Sequence, residues 1–440
     1  MSRFLIVTLP LTGHAYRALA VADELSARGH EVAWCGSKTY FGPLLGPDAT
    51  LFPAGTRTLR DQAAHGIAAL KSLWEQYVIP MARFTLPAVN RAAREYQPDM
   101  LVVDQHALAG ALAAHRHGLP WATLVTEAME LTHPLAALPR VDAWVRSQIA
   151  ALCKEARLTD ADFDPLFSPH LVIAFTTSAL TGEQPFPGHF ILVGPAMLER
   201  PRAFEWDLLD PARRKILITV GTLATGLAGD FCQRAAAAVA PLGATVQAII
   251  VGPPDLLPDA PGNVLVVPSV PMLALLPRLD AVISHGGMNT VSEALAHGVP
   301  LVLAPIRHDQ PVVASQVVRA GAGIRVPFYR VRPSQLREAA VSILNDPSYR
   351  RAAKRIGESF AAAGGAPAAA ARLERAAAAA RLAPFAGCPT PRVRGTRAMT
   401  PPFVQKMKFH AERTVVSLHR NGTGGVRCLT ISIGSSPLSR

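Results

Sequence analysis

From its fourth residue the chain alternates short aliphatic, β-branched runs with longer amphipathic stretches. Phe4 to Leu9 reads as a buried strand, Ala15 to Arg28 as a helix stopped by Gly29, and Glu31 to Cys35 as the next strand. Strand, helix and strand within about 35 residues make a βαβ unit and predict a parallel sheet. Gln97 to Asp104 is a further strand ending in a carboxylate, followed by a helix from Ala107 to His117 and a strand from Leu119 to Val125. Asp61 to Pro87 and Met129 to Leu166 are helical but less regular, and we expect them to form a substrate-facing wall.

A stretch rich in proline and charge from Pro195 to Arg214 interrupts this pattern, which then restarts. Lys215 to Val220 is a strand entering Gly221-Thr222, and a helix from Gly229 to Ala240 follows it. Strands at Thr245–Val251, Val264–Val267 and Ala281–Ser284, a helix at Asn289–His297 and a strand at Leu301–Ala304 complete the second array. Two consecutive arrays predict an α/β protein of two doubly wound, Rossmann-like domains facing each other across a cleft. The expected bounds are residues 1–200 and 214–366. An Ala-rich terminal helix over 367–383 is expected to pack back toward the first domain. In such sheets ligands lie beyond the carboxyl ends of the strands, so the residues just after each strand are the ones to question.

Half of the 440 residues are apolar and 17% are charged, which excludes an intrinsically disordered chain. The formal net charge of +12 suggests a polyanionic partner until its position is considered. Nine basic residues and one acidic residue, Glu412, lie from Pro384 onward, leaving 35 basic against 31 acidic in the rest. The body is near neutral and carries a basic tail over 384–440. That tail is Pro-, Gly- and Ser-rich without periodicity, and its only aromatic residues are Phe385, Phe403 and Phe409. It is expected to be a disordered appendage that makes no nucleic-acid site, with peripheral contact to an anionic membrane as the less favoured role. Cys35, Cys153, Cys232, Cys388 and Cys428 are odd in number and widely spaced, with no C-x-x-C pair, which predicts a reducing, cytoplasmic setting. Phe4 to Leu9 is too short for the apolar region of a signal peptide.

The most informative run is Ser284 to Pro300, SHGGMNTVSEALAHGVP. A strand ends, His285, Gly286 and Gly287 follow, and a helix begins near Asn289. Glycines admit close backbone approach, the helix N-terminus presents free N–H groups and a positive dipole, and His285 adds a donor: together, an anion site. Thr290 can donate a hydroxyl to a phosphate, and Glu293, one turn beyond Asn289, can accept from a ribose diol. A plain strand–turn–helix connection explains the two glycines but not the other four residues.

This run resembles the nucleotide-sugar signature of the UDP-glycosyltransferase-like superfamily with the GT-B fold, which includes bacterial natural-product glycosyltransferases. His285, Gly287, Asn289, Thr290 and Glu293 match it in register, as do Gly298-Val299-Pro300, Pro305 and Asp309-Gln310. The resemblance implies that His285 and Thr290 hold the diphosphate of the donor, Glu293 its ribose, and Asp309 and Gln310 the sugar ring. Gly221-Thr222 looks like the loop that lines the diphosphate from the other side. In the Ser269-Val270-Pro271-Met272 box, with Val270 in register, Ser269 stands where the family has an aromatic that stacks on the nucleobase, and Met272 stands where it has Gln or His.

In the first domain His14 follows the first strand in Thr12-Gly13-His14, and Asp104 ends another. A histidine oriented by a carboxylate is a general base for an alcohol. The placement resembles the family's catalytic His and its Asp partner, although the family often has Pro near Arg17. Asp160-Ala161-Asp162 spells a metal motif of another glycosyltransferase fold, but with no strand before it we read a solvated acidic turn. His115 and His117, two apart on a helix, are badly placed to share a metal.

The expectation is an inverting, metal-independent glycosyltransferase. It would move a hexose from a UDP- or TDP-linked donor to a hydroxyl of a small lipophilic acceptor, with no cofactor beyond that donor, as a monomer or homodimer. The lipophilic acceptor is suggested by Trp74, Tyr77, Phe84, Met129 and Trp144 in the wall segments. The alternatives are a nucleotide-sugar epimerase of the same fold and a non-catalytic nucleotide-sugar-binding protein. A dinucleotide oxidoreductase is excluded, because neither first βα turn carries G-x-G-x-x-G.

Overall fold

The computed structural model describes residues 1–57, 65–158, 160, 162–199, 201–221 and 228–382. The expectations for Thr222, for Ala161 and for the tail over 384–440 lie outside the described residues.

Two all-parallel sheets organise the chain. The first contains β1 (Arg3–Val7), β2 (Glu31–Gly36), β3 (Thr50–Pro53), β4 (Met100–Asp104), β5 (Trp121–Val125), β6 (Leu171–Ala174) and β7 (Phe190–Leu192), in the order 3-2-1-4-5-6-7. The second contains β8 (Arg214–Thr219), β9 (Val246–Val251), β10 (Val264–Val267), β11 (Ala281–Ser284), β12 (Leu301–Leu303) and β13 (Gly323–Arg325), in the order 10-9-8-11-12-13. The strand order reverses between β1 and β4 in one sheet and between β8 and β11 in the other, so each sheet opens a crevice at that point.

Burial on both faces explains why the strands read as continuous apolar runs. β1 sends Leu5 and Val7 into a core shared with Trp74, Tyr77 and Leu101, and Phe4 and Ile6 into one shared with Leu19, Val21 and Leu373. β11 divides likewise, with Ile283 on one face and Val282 on the other.

The terminal helix Gly365–Leu382 joins the core of the first sheet. It buries Ala369, Ala370, Leu373 and Ala377 beside the helix Thr12–Ala27, and full burial of Leu373 contributes about 1.5–3 kcal/mol. Glu374 accepts from Arg28 at 3.1 Å and lies 2.8 Å from His30, and Arg381 pairs with Asp99 at 2.7 Å. The two sheets are also tied by Arg319, which donates to the carbonyl of Thr181 at 2.9 Å, and by Ser359, which donates to Thr177 at 2.6 Å.

The helix after β1 begins three residues earlier than the apolar period suggests. The N–H groups of His14 and Ala15 already bond the carbonyl of Leu11, so His14 sits in the first helical turn and not in a preceding loop. The wall segments also differ from expectation. Trp74 and Tyr77 are fully buried core residues and Phe84 is exposed. A π-helical turn, Leu73–Val78, turns Trp74 and Tyr77 inward, and Leu73 is the residue of that turn that reaches the cleft. Among the described residues no helix is long and apolar enough to cross a membrane.

Candidate active site

A cavity of about 440 Å³ lies between the two sheets and is lined from both. The first supplies His14, which follows β1, and Glu127, which follows β5. The second supplies Gly221 after β8 and Val270 after β10. His285, Gly287, Asn289, Thr290 and Glu293 follow β11, and Asp309 and Gln310 follow β12. Asp104 stands behind His14, and Gly286 contributes backbone: its φ of +85° suits glycine, and its N–H donates to Ser284 Oγ at 2.9 Å. The structure thus brings the described sequence-derived residues to one cleft at the two crevices.

His14 Nδ1 donates to Asp104 Oδ2 at 2.8 Å, and its other nitrogen, Nε2, lies 3.1 Å from Glu127 Oε1. Asp104 is fully engaged: Oδ2 also accepts from Thr126 Oγ1 at 2.8 Å, and Oδ1 from the backbone N–H of His106 at 2.9 Å. Burial alone lowers the pKa of His14. The charge and hydrogen bond of Asp104, followed by those of Glu127, more than reverse this and raise it to about 10. For Asp104 burial acts upward, but the His14 charge outweighs it and the pKa falls below the ordinary carboxylate value.

On the opposite wall the helix Met288–Ala296 points its N-terminus into the cleft behind Gly287. Burial lowers the pKa of His285 to about 4, so its imidazole is neutral at pH 7 and offers an N–H without carrying charge. The glycines around it leave no room for a side chain. A Cβ on Gly221, whose φ is +72°, or on Gly287 would lie 2.5 Å from the His285 ring. Asp309 is raised well above the ordinary carboxylate value, first by burial and then by the charge of Glu127. The amide oxygen of Gln310 accepts from the N–H groups of Ile306 at 2.9 Å and Arg307 at 3.0 Å, which leaves its NH2 for a ligand. Ser269, Val270 and Met272 all line the cavity.

Three residues near the cleft escaped the sequence reading. Glu127 lies two residues beyond the end of β5, where attention to strand ends would have found it. His106 follows β4 in the same way and lies 3.0 Å from Glu130 Oε1. Arg17, nearly fully buried, reaches across the domains: Nε donates to Asn289 Oδ1 at 2.9 Å and Nη1 to the carbonyl of Thr126 at 2.9 Å. Away from the cleft, Asp160 is bound to His115, which stacks on Phe163, and His117 bonds Asn90. The two histidines thus serve separate contacts.

Comparison with known proteins agrees with this architecture. The family described as "Erythromycin biosynthesis protein CIII-like, C-terminal domain" matches residues 238–375. NDP-glycosyltransferase YjiC of Bacillus subtilis (strain 168) is 28% identical over 394 residues, covering 84% of this chain and 96% of that protein. The 4'-demethylrebeccamycin synthase of Lentzea aerocolonigenes is 27% identical over 415 residues, covering 82% and 96%. Among solved structures, spinosyn rhamnosyltransferase SpnG superposes with a TM-score of 0.70 at 26% identity, covering 85% of this chain and 100% of that one. The glycotransferase of kitacinnamycin superposes with a TM-score of 0.70 at 25% identity, covering 85% and 99%. With two doubly wound domains, this cleft and these relatives, the chain has the GT-B fold and is a glycosyltransferase of the natural-product type, similar to the UDP-glycosyltransferase-like superfamily.

Proposed function

We propose that the protein transfers a sugar, with inversion, from a nucleotide-diphosphate donor to a hydroxyl of a small lipophilic acceptor, without a metal ion. One observation carries this reading: an Asp-held histidine and the N-terminus of the helix Met288–Ala296 line the same cavity from opposite walls.

The donor diphosphate would lie against His285, Gly287, Thr290 and the N-terminus of Met288–Ala296. There the free N–H groups, the dipole and the neutral His285 take up the charge that develops on departure. Those donors perform the stabilising role that a divalent ion has elsewhere. Glu293 would accept from the ribose diol. The sugar ring would lie next to the carboxyl of Asp309 and the NH2 of Gln310, which read neighbouring hydroxyls as donor and acceptor. Solved structures of spinosyn rhamnosyltransferase SpnG hold thymidine diphosphate and, separately, spinosyn aglycone, which supports a nucleotide and a lipophilic alcohol as ligands here. Leu9, Leu11 and Leu73 give the first-domain side of the cavity an apolar lining suited to such an acceptor.

The acceptor hydroxyl enters where Glu127 Oε1 now meets His14 Nε2. Its arrival separates the two, removes a negative neighbour and lowers the His14 pKa toward neutrality, so that Nε2 can take a proton. The acceptor oxygen then bonds to the anomeric carbon as the bond from that carbon to the diphosphate oxygen breaks. The hydroxyl proton passes to His14, and the electron pair leaves on the diphosphate. A base on one wall and a leaving-group site on the other favour one in-line displacement, hence inversion. The test is NMR of the product formed from α-linked UDP- and TDP-hexoses with a panel of phenols and macrolide alcohols. A β-linked product supports the reading; an α-linked one contradicts it, and hexose interconversion without transfer would indicate an epimerase.

A further inference from the structure

One imidazole nitrogen each of His14 and His106 and a carboxylate oxygen of Glu127 all lie within 4.8 Å of one another on the first-domain wall of the cleft. Glu127 Oε1 is 3.1 Å from His14 Nε2, and Glu127 Oε2 is 3.7 Å from His106 Nδ1. Ligands about 2.0–2.2 Å from a tetrahedral ion stand roughly 3.3 Å apart, so both spacings are near that value before any adjustment.

The remaining nitrogen of each ring is held by a carboxylate, Asp104 at 2.8 Å for His14 and Glu130 at 3.0 Å for His106. Those carboxylates are anchored in turn. Thr126 and the His106 backbone hold Asp104, and Gln105 Nε2 donates to Glu130 Oε2 at 2.7 Å. Carboxylate–histidine pairs of this kind fix the ring, select the tautomer and strengthen the free nitrogen as a metal ligand. Three carboxylates, Asp104, Glu127 and Glu130, lie about the two imidazoles, and the Arg17 guanidinium acts on Glu127 and Asp104. Zn²⁺ binding there displaces the protons that those carboxylates hold on the two imidazoles. Trp74 stands edge-on to His106 with centroids 5.8 Å apart and closes the apolar side, while His14, His106 and Glu127 all face the cavity. Two imidazoles and a carboxylate with a fourth position open to a cavity suit Zn²⁺.

We propose that His14, His106 and Glu127 bind one Zn²⁺ and that the bound ion, by capping His14 Nε2, blocks sugar transfer. The binding stands on this geometry alone, whereas the block rests on His14 being the base. Zn²⁺ here is an inhibitor, since the nitrogen it occupies is the one that must receive the acceptor proton.

The test uses the full-length protein after dialysis against a chelator. Zn²⁺ binding is measured by competition with a chromophoric chelator, and Co²⁺ is added separately to look for the visible absorption of a low-coordinate site. Wild type is expected to bind one equivalent that is lost in His106→Gln, with affinity down about 100-fold or more. His106→Gln keeps His14 and Asp104, and Glu127→Gln, at a partly exposed position, provides a second variant should the first fold poorly. Any binding to thiols is common to all three proteins and subtracts out. In the transfer assay one equivalent of Zn²⁺ is expected to abolish wild-type turnover, EDTA to restore it, and His106→Gln to resist the same concentration. Equal affinity in wild type and both variants, or no binding by wild type, would overturn the site. Binding lost in the variants but without inhibition of an active wild type would overturn the capping. If no transfer is found under any condition, the functional reading fails and the chelator competition still decides the site.

Discussion

Replacement of Asp104 by Asn tests the base assignment most sharply, because the surrounding hydrogen bonds dictate how the amide must sit. Asp104 Oδ1 accepts from the His106 backbone N–H at 2.9 Å, and Oδ2 accepts from His14 Nδ1 at 2.8 Å. An amide with its oxygen toward His106 directs its NH2 at His14. The His14 proton must then move to Nε2, leaving that nitrogen unable to accept from an alcohol. The opposite flip sets two N–H donors against each other in a fully buried site, at a cost of about 1–3 kcal/mol, so the unproductive orientation prevails. Loss of the carboxylate also withdraws stabilisation from the imidazolium formed in the reaction. Together these lower turnover by about 10³- to 10⁴-fold, or roughly 4–5.5 kcal/mol of barrier. The assay is single-turnover transfer with saturating donor, alongside calorimetric donor affinity, which should change less than about threefold, roughly 0.6 kcal/mol. Thermal unfolding checks that the fold survives loss of charge-assisted bonds worth about 1.5–3 kcal/mol each. A folded Asp104→Asn protein turning over within about tenfold of wild type, or 1.4 kcal/mol, would refute the reasoning.

Other substitutions probe the opposite wall and the link between the domains. In Gly287→Ala the backbone φ of −62° is permissive, but the new Cβ would stand 2.5 Å from His285 Nε2. Displacement of that ring should weaken TDP binding about tenfold or more, roughly 1.4 kcal/mol by calorimetry, and unchanged affinity would remove His285 from the diphosphate site. Because His285 titrates near 4 when folded and at 6.5 when unfolded, the unfolded chain holds more protons between those values, and its contribution to stability declines as pH falls from 6.5 to 4. Urea midpoints of His285→Gln should therefore fall less steeply than those of wild type, by up to about 1.4 kcal/mol per pH unit; parallel profiles would contradict the shift. Arg17→Met breaks the bond to Asn289 and strips a cation from Asp309 and Glu293, and urea unfolding should show a loss of about 3–5 kcal/mol; an unaltered midpoint would show that this bridge contributes nothing.

Much of the site could be read in advance because doubly wound sheets place ligands beyond strand ends, and β1, β4, β8 and β11 are apolar enough to be recognised from their residues. The placement of His14, Asp104, Gly221 and His285 at strand ends follows from those four strands, whereas the roles expected of them came from the resemblance to the glycosyltransferase signature. β3, β6, β7 and β13 passed unnoticed, although β10, β11 and β12, equally short, were recognised from the elements around them. Glu127 and His106 were hidden for a different reason: each is a single polar residue after a recognised strand, and its meaning comes from a neighbour 113 or 24 positions away. Arg17 was legible only as a departure from proline, since its partner Asn289 belongs to the other domain. The acceptor wall misled because composition does not say which way a helical side chain faces, and the π-helical turn at Leu73–Val78 turns Trp74 and Tyr77 into the core.

The most direct measurement of the central claim compares wild type with His14→Ala for two quantities in the same preparation: calorimetric affinity for UDP or TDP, and the rate of sugar transfer to an alcohol. His14 belongs to the first-domain wall and the diphosphate site to the other, so affinity should be retained within about threefold, or 0.6 kcal/mol. Transfer should fall by about 10²- to 10⁴-fold with loss of the general base. Transfer that continues at the wild-type rate, with donor still bound, would contradict the account.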